Sequence, residues 1–333
     1  MNKLRNIHGG PDGQGVPLHD FSTNCNACGP CPHTLAALQA CDASRYPDPA
    51  YTVVKAQLAD FHGVLPERIV LAGSASEFIF RMTAWVAQQG GTAVRVPPHA
   101  YGDYAQAARA WGLSVVTAGQ DAALQWHADP SSPLGQSVPD DSDPSGANLQ
   151  VLDCAYEPLR LGGTMVWTLV QRDALWQLYT PNKALGLTGV RAAYAIAPMG
   201  AAQAVAALNG LCASWPLGAH GVALLQSWVR ADTQAWLHGS LQILCDWKLR
   251  QIQLLRDANW TVLPSETPFF CAQPPVGVDA VALCAQLRAR GIKLRDATSF
   301  GLPGWVRLSV QAPDAQAALQ AALHPYLETS HAS

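Results

Sequence analysis

Charge is scarce in this chain: 14% of its 333 residues are Asp, Glu, Lys or Arg, while 49% are hydrophobic. The net charge is −3 and the pI about 6.3, with no basic stripe to attract nucleic acid or an anionic membrane. Long apolar runs are missing too. No stretch approaches the roughly 20 residues of a membrane span, and the opening MNKLRNIHGGPDGQG lacks the apolar run of a signal peptide. The nine cysteines are odd in number and follow no small-scaffold pattern, which predicts free thiols in a reducing, cytoplasmic setting. Lysine is thinly spread, and Lys183 is the only one between Lys55 and Lys248.

What is present is enough apolar material for about two domains, in alternating helical and strand-like runs. Tyr51–His62, Ala75–Gln88 and Tyr101–Trp111 read as helices; Arg68–Leu71, Thr92–Val96 and Leu113–Thr117 read as strands. After a polar surface loop, Gly135–Asn148, strands follow at Leu149–Asp153, Leu175–Thr180 and Ala193–Ala197. Strands separated by helices of this length predict an α/β fold with a mostly parallel sheet. Near Trp215–Pro216 the pattern changes. A long helix over Thr233–Ala258 precedes strands at Trp260–Leu263, Phe269–Ala272 and Trp305–Val310, with helices at Val278–Arg290 and Asp314–Leu327. These predict a smaller α+β domain. The expected division is an N-terminal arm over 1–32, a large domain over 33–220 and a small one over 221–333.

Three segments carry chemistry. In Ile69-Val-Leu-Ala-Gly-Ser-Ala-Ser-Glu77 a strand passes through small residues into a helix. Free amides and the positive helix end suit an anion there, with the Ser76 hydroxyl beside them. An ordinary strand–turn–helix connection is the plain alternative. In Thr180-Pro-Asn-Lys-Ala-Leu-Gly-Leu-Thr-Gly-Val-Arg191, Lys183 follows an apolar strand. An amine must be neutral to add to a carbonyl, and dry surroundings favour that form. Arg191 and the Thr180 hydroxyl are candidate phosphate ligands, the alternative being a surface lysine and arginine beside a Gly-rich loop. Asp153 ends a strand in Gln150–Tyr156, where crevices open in α/β sheets. Its carboxylate suits a protonated ring nitrogen and Tyr156 a ring oxygen, although an Asp at a strand end is also a common N-cap.

Together these residues resemble the fold-type I enzymes that use pyridoxal 5′-phosphate (PLP), in their histidinol-phosphate aminotransferase-like branch. The resemblance is closer still to the threonine-phosphate decarboxylases of cobalamin biosynthesis, and it spans nearly the whole chain. It is carried by His8-Gly-Gly, Asp20-Phe-Ser-Thr-Asn-Cys-Asn26, Arg45-Tyr-Pro-Asp-Pro-Ala-Tyr51, the Lys183 and Arg191 pair, and Leu294–Arg307. It implies an aspartate aminotransferase-like fold and a homodimer acting on a small phosphorylated amino acid. By that resemblance Lys183 is the catalytic Schiff-base lysine, Asp153 the pyridinium partner and Tyr156 a ligand of the ring oxygen. Ala75, Ser76, Thr180 and Arg191 would hold the cofactor phosphate, Tyr101 would stack on the ring, and Tyr46 would reach the phosphate from a second subunit. His8, Gly9, Asn24, Arg295 and Arg307 would bind substrate. Arg307 is the family's usual α-carboxylate ligand, and Arg295 and His8 suit a second anion.

The reaction so implied is decarboxylation of L-threonine O-3-phosphate to (R)-1-aminopropan-2-yl phosphate. Transamination of histidinol phosphate or a similar amino acid is the alternative. Two departures from the family pattern stand out. Asp129-Pro-Ser-Ser-Pro-Leu-Gly135 places Ser132 where an asparagine normally bonds the ring oxygen, and Cys154 replaces a common acidic residue. A competing signal is Cys25-x-x-Cys28-x-x-Cys31-Pro, since thiolates two residues apart converge on iron–sulfur clusters, with Cys41 as an imagined fourth ligand. Its place in the Asn-rich arm favours ordinary thiols and no metal. Trp167, Trp176, Trp215, Trp228 and Trp236 are expected to fill core and interface, and His99 to position its neighbour Tyr101.

Overall fold

The computed structural model describes residues 9–137 and 147–328. The first half contains β1 (His19–Asp20), α1 (Pro32–Ala40), α2 (Thr52–His62), β2 (Ile69–Ala72), α3 (Ala75–Gln88), β3 (Ala93–Arg95), α4 (Gly102–Ala110), β4 (Ser114–Val116), β5 (Ala122–Ala128) and β6 (Ala147–Asp153). Then come α5 (Leu169–Asp173), β7 (Trp176–Tyr179), β8 (Ala193–Ile196), α6 (Ala202–Gly210), α7 (Ala219–Trp228) and α8 (Ala231–Asp257). The chain continues through β9 (Thr261–Val262), β10 (Phe269–Gln273), α9 (Ala280–Ala289), β11 (Ile292–Lys293), β12 (Arg295–Asp296), β13 (Val306–Ser309), α10 (Pro313–Leu323) and α11 (Pro325–Glu328). No described helix is long and apolar enough to cross a membrane.

Alternate side chains of the buried strands belong to different cores. Ile69 and Leu71 pack in one apolar cluster, Val70 and Ala72 in another; Leu152 and Val151 divide likewise, as do Tyr194 and Ala193. A strand buried on both faces reads as a continuous apolar run, which is why periodicity located most of this sheet. Its order is β2-β8-β7-β6-β5-β3-β4, with β8 antiparallel to both neighbours and the other pairs parallel. The α/β fold with a mostly parallel sheet is therefore as expected.

The details differ in places. Strand β5 was not predicted: its run Ala-Ala-Leu-Gln-Trp-His-Ala has no β-branched residue to announce it, yet it sits between β6 and β3. Strand β6 begins at Ala147, inside the span expected as loop. The pairing with β5 draws those residues into the ladder, Ala122 opposite Ala147. Residues 138–146 of that loop lie outside the described residues. Helices α6 and α7 flank the point near Trp215–Pro216 where the pattern changes.

A second, antiparallel sheet has the order β12-β13-β10-β9. The N-terminal segment is fastened to the same region. His19 and Asp20 pair in parallel with Ile292 and Lys293, and Asp12 forms ion pairs with Arg288 at 2.8 Å and Lys293 at 2.9 Å.

Candidate active site

Sheet direction gathers the predicted cofactor residues. β2, β3, β5, β6 and β7 run the same way, so their C-terminal ends share one edge, and β8 runs oppositely, so the residues before it lie at that edge too. Ala75 and Ser76 follow β2, Tyr101 follows β3 and Ser132 follows β5. Asp153 ends β6, Thr180 and Lys183 follow β7, and Arg191 precedes β8. This is where open α/β sheets form crevices.

Asp153 is buried, and its two oxygens accept hydrogen bonds from the Tyr104 hydroxyl at 2.6 Å and the Ala155 amide at 2.9 Å. Burial pushes its carboxyl above the usual range, while the Lys183 ammonium and the Tyr104 hydroxyl act in the opposite direction. The Lys183 ammonium lies 4.7 Å from the centre of the Tyr156 ring. Tyr156 packs edge-on against Phe269, and the Asn24 amide is 3.5 Å from its hydroxyl. Tyr101 and Ser76 hydroxyls are 3.2 Å apart, which links the start of α3 to the start of α4. Helix α3 is started by Ser74, whose hydroxyl accepts from the Glu77 amide.

Residues of the N-terminal segment hold the lysine loop in place. The Asn26 amide nitrogen of the backbone donates to the Lys183 carbonyl, and its side chain bonds the Ala184 carbonyl and the Ser240 hydroxyl at 3.0 and 2.7 Å. Gly186, at φ +66, approaches the Gly29 carbonyl so closely that a Cβ there would meet it at 2.4 Å. Here the cysteines pack as single thiols: Cys31 is fully buried, and the Cys28 thiol contacts the Ser240 carbonyl. Among the described residues no group of three or more His, Cys, Asp or Glu is placed to hold a metal ion, so Cys25, Cys28, Cys31 and Cys41 do not converge.

The two predicted substrate arginines face each other across a ladder, Arg295 of β12 opposite Arg307 of β13. Both are buried, and both guanidiniums lie over the Phe300 ring, at 4.9 and 5.5 Å. Arg307 donates to the Ser22 carbonyl at 2.8 Å, and its Nε is buried without a partner among the described residues. Arg295 donates to the Asp296 carbonyl and the Ser299 hydroxyl. Burial lowers both pKa values, Arg295 to about 10 with the nearby Arg307 charge adding to the effect. Like charges held this close repel each other. Gly9 lies against the Ser22 carbonyl; a Cβ at Gly9 would meet that oxygen at 2.1 Å.

Other predicted residues are less engaged. The Arg191 side chain is exposed and Ser132 half-buried, and neither forms a side-chain hydrogen bond among the described residues. Tyr46 is 78% exposed and stacks on Trp215 at 4.4 Å. His8 lies outside the described residues. Sequence reasoning missed Tyr104, which resembled any core aromatic on an amphipathic helix, and Phe300, whose role appears only once the two arginines are seen above it. His99, expected to position Tyr101, bonds the Phe300 carbonyl at 2.7 Å through Nδ1. It thus ties the Tyr101 segment to the arginine platform.

The aminotransferase class I and II family profile matches residues 148–324, more than half of the chain. The chain belongs to that family. Among curated relatives, histidinol-phosphate aminotransferase of Jannaschia sp. (strain CCS1) is 26% identical, over 93% of this chain and 91% of its own. Histidinol-phosphate aminotransferase from Sinorhizobium meliloti, solved in complex with pyridoxal-5′-phosphate, superimposes with a TM-score of 0.78 at 22% identity, covering 95% of this chain and 92% of that one. L-threonine-O-3-phosphate decarboxylase from Porphyromonas gingivalis gives a TM-score of 0.77 at 19% identity, over 93% and 100% of the two chains. The chain is a PLP-dependent enzyme of the class I and II family, with that family's fold-type I architecture.

The residues present fit that cofactor. Among the described residues, the Thr180 hydroxyl and the Asn24 side-chain oxygen Oδ1 are buried without hydrogen-bond partners, an arrangement that is costly unless a ligand supplies them. The Asp153 carboxylate is held ready by two donors, and Lys183 is the lysine beside it.

Proposed function

We propose that this enzyme decarboxylates L-threonine O-3-phosphate to (R)-1-aminopropan-2-yl phosphate, with Lys183 as its catalytic lysine, working as a cytoplasmic homodimer. The observation that carries the reading is the buried pair Arg295 and Arg307, side by side with an unspent Nε. Two cations suit a substrate with two anions, a carboxylate and a phosphate. Histidinol phosphate carries only the phosphate.

Bound PLP supplies an electron sink for the bond broken at Cα. The protein supplies the rest. Asp153 would keep a proton on the ring nitrogen, Tyr156 and Ser132 would bond the ring oxygen, and Tyr101 would stack on the ring. Ala75, Ser76, Thr180 and Arg191 would hold the cofactor phosphate, with Tyr46 contributed to the neighbouring subunit. Arg307 holds the substrate carboxylate, and Arg295 with His8 holds its phosphate, Gly9 and Asn24 closing the site. Lys183 returns a proton to Cα from its ammonium.

A second reading is transamination of histidinol phosphate, favoured by the names of the curated relatives. The experiment that separates them measures CO₂ released from L-threonine O-3-phosphate with no keto acid added. Release at a steady rate supports decarboxylation. Turnover of either amino acid only when 2-oxoglutarate is present overturns it.

A further inference from the structure

A cavity of about 490 Å³ lies between α8 and the β9 segment, and none of its lining residues belongs to the cofactor or substrate set. Its helical wall is a stripe. Cys245, Lys248, Ile252 and Arg256 recur at three- and four-residue spacing, so they share one face of α8. The opposite wall is apolar, with Leu161, Val262 and Leu263. The volume falls in the range of small-molecule pockets, about 300–1,000 Å³.

The polar group at this wall is unusual. Lys248 is 9% exposed, and among the described residues its ammonium has one hydrogen-bond partner, the Ser265 carbonyl. An ammonium has three donors. Burying one with two donors unspent is unfavourable, and among the described residues no carboxylate pairs with it. The titratable neighbours acting on it are Cys245 and Glu266, and the Glu266 carboxylate is already engaged by Arg160. Arg256, two turns and ~12 Å farther along the helix, is exposed and has no hydrogen-bond or ion-pair partner among the described residues. The cavity therefore offers an apolar wall, one buried cation and a second cation at its rim.

We propose that this cavity is a binding site for a small amphipathic carboxylate, whose head takes the unspent donors of Lys248 and whose hydrocarbon chain lies along Ile252, Val262 and Leu263. A carboxylate joins Lys248 without displacing the Ser265 carbonyl, because different donors serve each. The hydrocarbon chain removes apolar wall from water and gains about 25 cal/mol per Å² in doing so. A neutral ligand of the same shape keeps the second contribution and loses the first.

The test is calorimetric titration of the PLP-loaded enzyme with octanoate, and separately with octan-1-ol. Octanoate is expected to bind saturably at one site and more tightly than octan-1-ol. Lys248→Met should weaken octanoate about 10- to 100-fold, the worth of a hydrogen bond to a charged group, and leave octan-1-ol unchanged. The variant's thermal midpoint and cofactor absorbance report whether it is folded. Should it fail to fold, Ile252→Trp decides, since it fills the cavity and must abolish octanoate binding. Absent saturable binding, equal affinity for octanoate and octan-1-ol, or octanoate affinity untouched by either substitution overturns the proposal.

Discussion

Replacing Tyr104 by Phe removes a single hydroxyl, the one that donates to Asp153 at 2.6 Å, and keeps the ring stacked on Trp126 at 4.6 Å. A hydrogen bond to an ionised group contributes about 1.5–3 kcal/mol. The upper part of that range applies here, because Tyr104 is 1% exposed and Asp153 only 7%. In the variant Asp153 keeps the Ala155 amide alone, so burial raises its carboxyl further against weaker opposition. PLP affinity that depends on an ionised Asp153 should then fall by about 50- to 150-fold. The sign with pH follows. A raised carboxyl is lost as a charge when pH falls, so the defect should be larger at the lower of two pH values. Fluorescence titration of the apoenzyme with PLP measures both quantities, with circular dichroism as the check on folding. A folded Tyr104→Phe enzyme with wild-type PLP affinity at both pH values would refute the role given to Asp153.

Arg160→Leu should destabilise the fold by about 3–5 kcal/mol, because it strips the fully buried Asp129 of its ion pair and frees the loop bearing Ser132; chemical denaturation measures it. Gly9→Ala should raise KM for the phosphorylated substrate while bound-cofactor absorbance stays unchanged, since the added Cβ would strike the Ser22 carbonyl that Arg307 also uses. Lys248 is held down to about 8 by burial from an ordinary 10.5. The unfolded chain therefore binds more protons between those values, and stability from this group rises with pH across that window. Lys248→Met should raise stability at neutral pH by about 3 kcal/mol and flatten that rise, read from denaturation midpoints at pH 7.5 and 10.

Much of the site was legible because it sits where backbone direction changes. The small residues of Gly73–Ser76, the isolated Lys183 and the paired arginines of the Leu294–Arg307 segment each depart from their surroundings. What stayed hidden depends on contacts between distant segments. Strand β5 lacks a propensity signal and exists because β6 and β3 both pair with it. The reversed direction of β8 has no local signature, yet it carries the segment before it to the cofactor edge. Tyr104 could be read as core alone, and its hydroxyl gains meaning only from the carboxylate 49 residues away. The cysteine spacing was the opposite case. It resembles a ligand set in sequence, but the segment's bonds to Lys183 and Leu185 disperse the thiols.

The anchoring of the cofactor at Lys183 is tested most directly by borohydride reduction of the yellow, PLP-loaded protein, followed by proteolysis and mass mapping of the reduced adduct. The adduct should lie on Lys183, in the peptide containing Thr180-Pro-Asn-Lys-Ala-Leu-Gly186, and Lys183→Ala should yield none. A stoichiometric adduct on Lys248 or any other lysine, with Lys183 unmodified, would contradict the account.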